Sequence, residues 1–519
     1  MRYLLAGDDV LAVLPTGSGK SAIYQVPALL LPGPTVVVSP LIALQRDQMT
    51  GLHAVTRADA VAINSAQSSR ENDEAWQRYT CGAARYLFLA PEQVARPDVL
   101  DRLERTRPAL FVVDEAHCVS AWGHDFRPDY LRLGHAVTRL GRPTVLALTA
   151  TAAPPIRQDI VKHLAMRAPH LVAAGFDRPN ISLAVRHFAT DDDKRAAVVA
   201  WTGEATGPGL LYVATRRDTE RYAAALRERG VATGAYHAGM RAAERDRAQD
   251  EFMTGGVDVF VATSAFGMGV DKPDVRFVAH ASIPDSVDSY YQQIGRGGRD
   301  GESAAAMLFH RVQDAGLQKF LRGGTFDDDA VAAIARILRK HRPDSVAELT
   351  DEVGLSRRKV TNMVNLLEQA GVITGLRYTD RRTLPGKAAE RARAVADQHR
   401  QVDRSRLEMM LAYAGTTDCR RQHLLGYFGE QLNRPCGNCD NCWEGRTDER
   451  HSVGPYPPNT RVRHREWGTG TVIHTADDRI TVLFDRIGYK VLAADAVRDN
   501  DLLSPCSRPP GGYPSPHDG

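Results

Sequence analysis

Short, continuous apolar runs punctuate the first third of the chain at Val10 to Leu14, Thr35 to Ser39, Tyr86 to Ala90, Ala109 to Val113 and Thr144 to Thr149. Runs of this length, apolar throughout rather than alternating, are what a strand covered on both faces requires. Their separation by helix-length mixed segments is the rhythm of a parallel sheet wound with helices. A second set at Gly209 to Ala214, Thr233 to Tyr236, Val257 to Ala262 and Val275 to Ala279 repeats the rhythm. The pattern predicts two α/β lobes that meet near Gly175 to Asn180.

After Gly324 the period changes. Ala330 to Lys340, Ser345 to Val353 and Arg357 to Ala370 carry helical spacing, with the turn Val353-Gly354-Leu355-Ser356 before the last of them and Gly371-Val372-Ile373 after it. Helix, glycine turn, helix and short apolar strand predict a winged helix-turn-helix over Phe326 to about Arg382, with a plain helical linker as the alternative. Ser452 to Asn459 is a Pro-containing linker. Arg461 to Leu503 reads as short strands joined by turns, and Ser504 to Gly519 as a disordered tail.

Composition adds limits rather than identity. Apolar residues make up 43% and charged residues 25% of 519, the balance of a folded multidomain protein. The net charge of +3 points to no particular partner, so any nucleic-acid contact must come from local patches. Met1 to Asp9 turns acidic too early for a signal peptide, and no long apolar run exists, so a cytoplasmic protein is expected. Of seven cysteines, Cys419, Cys436, Cys439 and Cys442 cluster while Cys81, Cys118 and Cys506 are scattered.

Three segments carry chemistry. Leu14-Pro15-Thr16-Gly17-Ser18-Gly19-Lys20-Ser21 lies between a strand and a helical stretch, where backbone N–H groups can wrap nucleotide phosphates. Thr16, Gly17, Ser18 and Gly19 would form the cradle, Lys20 would neutralise the β/γ-phosphates and the Ser21 hydroxyl would ligate Mg²⁺. Leu14 stands where the strict pattern places its first glycine. The strand end Phe111-Val112-Val113-Asp114-Glu115-Ala116-His117 supplies the acidic pair such a loop needs: Asp114 for Mg²⁺ through water, Glu115 to orient or deprotonate the attacking water, His117 to couple to the other lobe. In the second lobe Gly295-Arg296-Gly297-Gly298-Arg299 holds two arginines able to reach a γ-phosphate, Arg299 as the finger and Arg296 as its partner. Cys436-Gly437-Asn438-Cys439-Asp440-Asn441-Cys442 sets three thiolates on two tight turns, with Cys419 from a preceding helix as the fourth. Four sulfurs would close a tetrahedral Zn²⁺ site and leave no position for water, so a structural metal is expected, with a redox dithiol as the alternative.

Taken in order, these segments resemble the motif set of superfamily-two helicases. Ala121-Trp122-Gly123-His124-Asp125-Phe126-Arg127-Pro128-Asp129-Tyr130 resembles the aromatic-rich loop of the RecQ family, and Cys419-Arg420-Arg421-Gln422-His423-Leu424-Leu425-Gly426-Tyr427-Phe428-Gly429-Glu430 resembles its zinc segment. Ser39-Pro40-Leu41-Ile42-Ala43-Leu44 with Asp47-Gln48, Ala90-Pro91-Glu92, Leu148 to Ala152, Tyr236-His237-Ala238-Gly239 and Ala262 to Pro273 also match. The resemblance implies an ATP-dependent DNA helicase of 3′-to-5′ polarity acting in recombination and repair, with ATP, Mg²⁺ and Zn²⁺ as cofactors and single-stranded, tailed or forked DNA as partner. Trp122, Phe126 and Arg127 would stack on unpaired bases and relay DNA binding to the ATP site. An RNA helicase, a non-unwinding translocase and a non-catalytic DNA-binding regulator are the rival readings.

The implied organisation is two RecA-like lobes at 1–175 and 176–325, a winged-helix-like segment at 326–395, the zinc subdomain at 396–446, a linker at 447–458, an all-β module at 459–503 and a tail at 504–519. Three departures from the family stand out. The family's adenine-recognition segment is expected ahead of the phosphate loop, but only thirteen residues precede Leu14; a start codon placed too far downstream is the favoured expectation, and a form that binds nucleotide poorly and with weak base preference is the alternative. The winged-helix candidate precedes the zinc segment rather than following it; its Arg357, Arg358 and Lys359 suit either DNA phosphates or a solvated face. Finally, Asn459 to Ile473 and Ile480 to Asp485 resemble the SH3/Tudor-like tail module of UvrD and PcrA helicases, implying a docking site for a protein partner, with a merely stabilising barrel as the alternative.

Overall fold

A computed structural model describes the chain except residues 16–18, 41, 56–58, 65–66, 121–126, 267–271, 315, 317–325, 342, 344, 431, 448–455, 458–459, 476–478, 486 and 507–519. The first sheet has seven strands, in the spatial order Asp59–Ile63, Ala84–Leu89, Thr35–Val38, Leu110–Val113, Thr144–Thr149, Val10–Val13 and His170–Ala173. All pair in parallel. The central strands are buried on both faces, as their uninterrupted apolar runs require. Leu11 and Val13 enter one core, Val10 and Ala12 the opposite one, following the two-residue period of a pleated strand.

The second sheet is also wholly parallel, in the order Thr233–Tyr236, Val259–Ala262, Gly209–Tyr212, Phe277–His280, Ala304–His310 and Ile181–His187. Both sheets thus carry their loops at the carboxyl ends of the strands, where ligands bind in open α/β sheets. Four strands were not anticipated: Asp59–Ile63, His170–Ala173, Ile181–His187 and Ala304–His310.

Helices Asp328–Lys340, Val346–Val353 and Arg357–Gln369 share one apolar core with the two-stranded hairpin of Ile373–Thr374 and Arg377–Tyr378. Gly354, at φ 71°, ends the second helix in the left-handed region that glycine tolerates. The long helix Pro385–Gly415 packs its first half on this unit. The expected division at 395/396 therefore falls inside one unbroken helix, because the helical period continues across it.

The C-terminal residues form a five-stranded antiparallel sheet in the order Gly488–Ala493, Arg479–Phe484, Gly468–Thr475, Arg461–His464 and Leu503–Pro505. Its edges differ from expectation at two points. Tyr456, assigned to the linker, donates its hydroxyl to the Leu503 carbonyl at 2.6 Å and accepts from Thr475 at 2.7 Å. Ser504 and Pro505, assigned to the tail, pair with Arg463 and Val462.

Candidate nucleotide site, zinc site and DNA-facing elements

Strand Leu110–Val113 delivers Asp114 and Glu115 to the carboxyl end of the first sheet, beside the loop that follows Val13. Asp114 is buried, and burial followed by the neighbouring Glu115 pushes its carboxyl above the usual range, while Lys20 and a Gln48 hydrogen bond pull it back. Gln48 Nε2 donates to Asp114 Oδ2 at 3.1 Å, and Tyr130 donates to the Asp114 backbone carbonyl at 3.1 Å. Glu115 adopts φ 48°, a left-handed conformation that a non-glycine residue keeps only where its surroundings impose it. Its Oε2 lies 3.3 Å from His117 Nδ1, which in turn lies 3.0 Å from the Thr149 hydroxyl. Two adjacent buried acids facing a single described lysine, Lys20, form a site whose charge balance favours a bound cation. Ser21 begins the helix Ala22–Leu30 and stands beside Lys20. Gly19 has φ 75°, and Thr16, Gly17 and Ser18 lie outside the described residues.

In the second lobe, helix Val287–Ile294 runs into Gly295-Arg296-Gly297-Gly298-Arg299. Arg296 is only 4% exposed and neighbours Tyr212, whose hydroxyl pKa is raised by burial and lowered by Arg296 and Arg299. The loop is held by residues that the sequence reading missed. Arg178 donates to the carbonyls of Gly295 at 3.2 Å, Gly297 at 2.9 Å and Gly298 at 3.0 Å, and Asn180 donates to those of Gly298 and Glu302, both at 2.8 Å. Arg178 and Asn180 sit where the two lobes meet, and nothing in their spacing separates them from a polar connector.

The four cysteine sulfurs lie within 4.8 Å of one another. Sγ of Cys439 and Cys442 are 3.4 Å apart and those of Cys436 and Cys442 3.9 Å, bracketing the ~3.8 Å edge of a tetrahedron with Zn–S of about 2.3 Å. Backbone N–H groups of Cys436 and Asn438 donate to the sulfurs of Cys419 and Cys436 at 3.2 and 3.3 Å, as thiolates require. The donor set fits Zn²⁺. Cys419 is the N-terminal cap of helix Arg420–Tyr427 rather than a residue within a preceding helix.

This segment is fastened to the inter-lobe connection. Arg421 meets Asp177 at 2.7 Å, Glu430 accepts from the Phe176 N–H at 2.9 and 2.8 Å, and Leu183 donates to the Asn438 carbonyl at 3.3 Å.

Of the residues expected to meet DNA, Arg127 donates to the Pro40 carbonyl at 3.1 Å, joining the end of the aromatic loop to the Ser39-Pro40 segment. Trp122 and Phe126 lie outside the described residues, as do Gly267 to Asp271. Arg357, Arg358 and Lys359 are exposed at the start of their helix. No helix among the described residues is long and apolar enough to cross a membrane.

Comparison with known proteins agrees with this geometry. Residues 1–159 match the DEAD/DEAH box helicase family, 193–301 the helicase conserved C-terminal domain, 378–443 the RecQ zinc-binding family and 459–499 a family of unknown function. The chain is 35% identical over 440 residues to the ATP-dependent DNA helicase RecQ of Haemophilus influenzae, covering 84% of this chain and 59% of that protein. It is 34% identical over 487 residues to the probable ATP-dependent DNA helicase RecS of Bacillus subtilis, covering 90% of this chain and 94% of that protein. The chain thus spans about three fifths of the RecQ relative and nearly all of RecS. Among solved structures it resembles the DEAD-box helicase Mss116 bound to single-stranded RNA, with a TM-score of 0.50 and 14% identity over 72% of this chain and 85% of that one, a likeness of fold alone. Two parallel-sheet lobes, the four-cysteine segment and near-complete coverage of RecS together establish that this chain belongs to the RecQ family of ATP-dependent DNA helicases.

Proposed function

We propose that the chain is an ATP-driven DNA helicase that moves 3′ to 5′ along single-stranded DNA and separates duplex in recombination and repair, in the cytoplasm or nucleoid. The reading rests above all on the convergence of Lys20, Asp114 and Glu115 at the carboxyl end of the first sheet. Lys20 binds the β/γ-phosphates, with Thr16, Gly17, Ser18 and Gly19 wrapping them. Ser21 directly and Asp114 through water would hold Mg²⁺, which supplies charge neutralisation on the transferring phosphoryl group when bound. Glu115 takes the proton of the attacking water as the bond to the γ-phosphorus forms and ADP leaves. Arg296 and Arg299 approach from the second lobe to stabilise charge that develops only in the transition state.

Trp122, Phe126 and Arg127 act on DNA: the rings stack on unpaired bases, and Arg127, tied to Pro40, carries the contact toward the acidic pair. Zn²⁺ at Cys419, Cys436, Cys439 and Cys442 holds the connection between lobes in place. A protein partner for the C-terminal module, suggested by its resemblance to UvrD-type tails, would use the faces turned away from the motor.

The test is strand release from duplexes with a 3′ or a 5′ single-stranded tail, with ATP and Mg²⁺, and Lys20→Ala as control. Unwinding of the 3′-tailed substrate alone, lost in the variant, is expected. DNA-stimulated hydrolysis without strand release would replace unwinding by translocation.

A further inference from the structure

The C-terminal module is built into the motor rather than tethered to it. Strand Gly488–Ala493 lies against the long helix Pro385–Gly415, and Tyr489, although on an edge strand, is 2% exposed. Its ring stacks on Tyr427 of the zinc segment, with centroids 5.1 Å apart and planes inclined by 26°. Ile473, Leu483 and Tyr489 belong to the same continuous apolar core as Met409, Met410, Tyr413 and Tyr427, whereas Val462, Val472, Ile480 and Phe484 form the module's own separate core. A free docking arm has no reason to bury three of its side chains in its carrier.

The stack ends on a buried charge. The Tyr427 hydroxyl donates to Asp288 Oδ2, and Arg406, itself fully buried, approaches the same oxygen at 3.9 Å. Asp288 lies in the first turn of helix Val287–Ile294, whose other end opens into the Arg296 and Arg299 loop. Burial raises its carboxyl pKa, and Arg406, Tyr427 and His117 lower it, so the histidine of the acidic box in lobe one also acts on this group. Its Oδ1 accepts no hydrogen bond among the described residues. A buried carboxylate with few partners depends on the exclusion of water for the strength of each remaining interaction, and the Tyr489 ring closes one side of that cluster.

We propose that Tyr489 is a positioning residue for ATP hydrolysis: by covering the Tyr427–Asp288–Arg406 cluster it fixes the helix that presents Arg296 and Arg299, which gives the module of unknown function a role inside the motor. The proposal rests on the assignment of those arginines to ATP. Water admitted beside Asp288 weakens its hold on Tyr427 and Arg406, and the helix start loses its register toward the cleft. Nucleotide binding at Lys20 is untouched, since that loop belongs to the other lobe.

The test compares DNA-stimulated ATP hydrolysis of full-length wild type, Tyr489→Ala and Tyr489→Phe, with zinc content measured for each. Tyr489→Ala should lower kcat about tenfold while KM for ATP stays within about twofold, and Tyr489→Phe, which keeps the stacked ring, should match wild type. Zinc should remain at one per chain in all three. If Tyr489→Ala does not fold, Tyr489→Leu, which fills the volume without a planar face, should show the same split. Unchanged kcat, a parallel rise in KM, loss of zinc, or a Phe variant as impaired as the Ala variant would overturn the proposal. Wild type without ATPase activity, or Lys20→Ala with full activity, would instead overturn the motor reading on which it rests.

Discussion

Arg421 Nη1 lies 2.7 Å from the carboxylate of Asp177, and the same guanidinium donates to the Ile181 carbonyl at 2.6 Å, so a residue two positions from a zinc-site cysteine grips the connection between the lobes. Phe176, one residue earlier, is stacked on Phe428 at 4.5 Å and 11°. Removal of the metal should release both. Chymotrypsin should then cut after Phe176 and separate the lobes in the chelator-stripped protein, while the zinc-loaded protein resists. Equal resistance in both forms would show that the cysteine segment does not control the connection.

Arg178 satisfies three carbonyls of the loop that carries Arg296 and Arg299. Arg178→Ala should lower kcat for ATP about 10- to 100-fold with little change in ATP affinity, because the loop loses its scaffold while the phosphate loop is intact. Arg178→Lys should recover only part, since a point charge cannot span three acceptors as a planar fork does. Steady-state kinetics with a separate nucleotide-binding titration distinguishes the two effects.

His280 sets an acid limit on the second lobe. Burial, opposed by its contact with Gln293 at 2.8 Å, lowers its pKa from 6.5 to about 4. The unfolded chain therefore binds the proton more readily than the folded one. Stability from this group is complete above about pH 6.5 and falls as pH drops toward 4, by on the order of 3 kcal/mol at most. His280→Asn should begin less stable but lose less over that interval, as read by thermal melts at pH 7.5 and 4.5. Parallel losses in both proteins would remove His280 as the cause.

Arg132 of the first lobe meets Glu368 of the winged-helix-like unit at 2.6 Å, and Glu368 also accepts from the Gly375 N–H at 2.9 Å. The side chains are 34% and 25% exposed, so the pair contributes only about 0.2–1 kcal/mol. Arg132→Ala should leave the melting temperature nearly unchanged yet free the unit from the lobe, seen as a larger radius of gyration in small-angle scattering. An unchanged radius would mean that the long helix alone holds the unit in place.

The strands that sequence revealed are those whose burial on both faces demands β-branched side chains, such as Val36-Val37-Val38. Ala304–His310 escaped because its alanines carry little strand preference, and His170–Ala173 because an exposed edge needs no apolar run. The cysteine quartet was legible because chelation fixes spacing along the chain. Asp288 was not: in Ser286-Val287-Asp288 it looks like any acid in a helix's first turn, and the partner that defines it, Tyr427, is 139 positions away. The same holds for Arg178, whose task appears only when the chain brings Gly297 back to it.

The helix Pro385–Gly415 has 31 residues and spans about 46 Å. One end bears the unit held to lobe one by Arg132 and Glu368; the other reaches lobe two where Arg406 approaches Asp288. Together with the chain connection at 174–180 it makes a closed mechanical linkage, a hinge spanned by a tie-rod. Widening the cleft must therefore strain the rod or one of its joints, and the partly exposed Arg132–Glu368 pair is a joint that costs little to part.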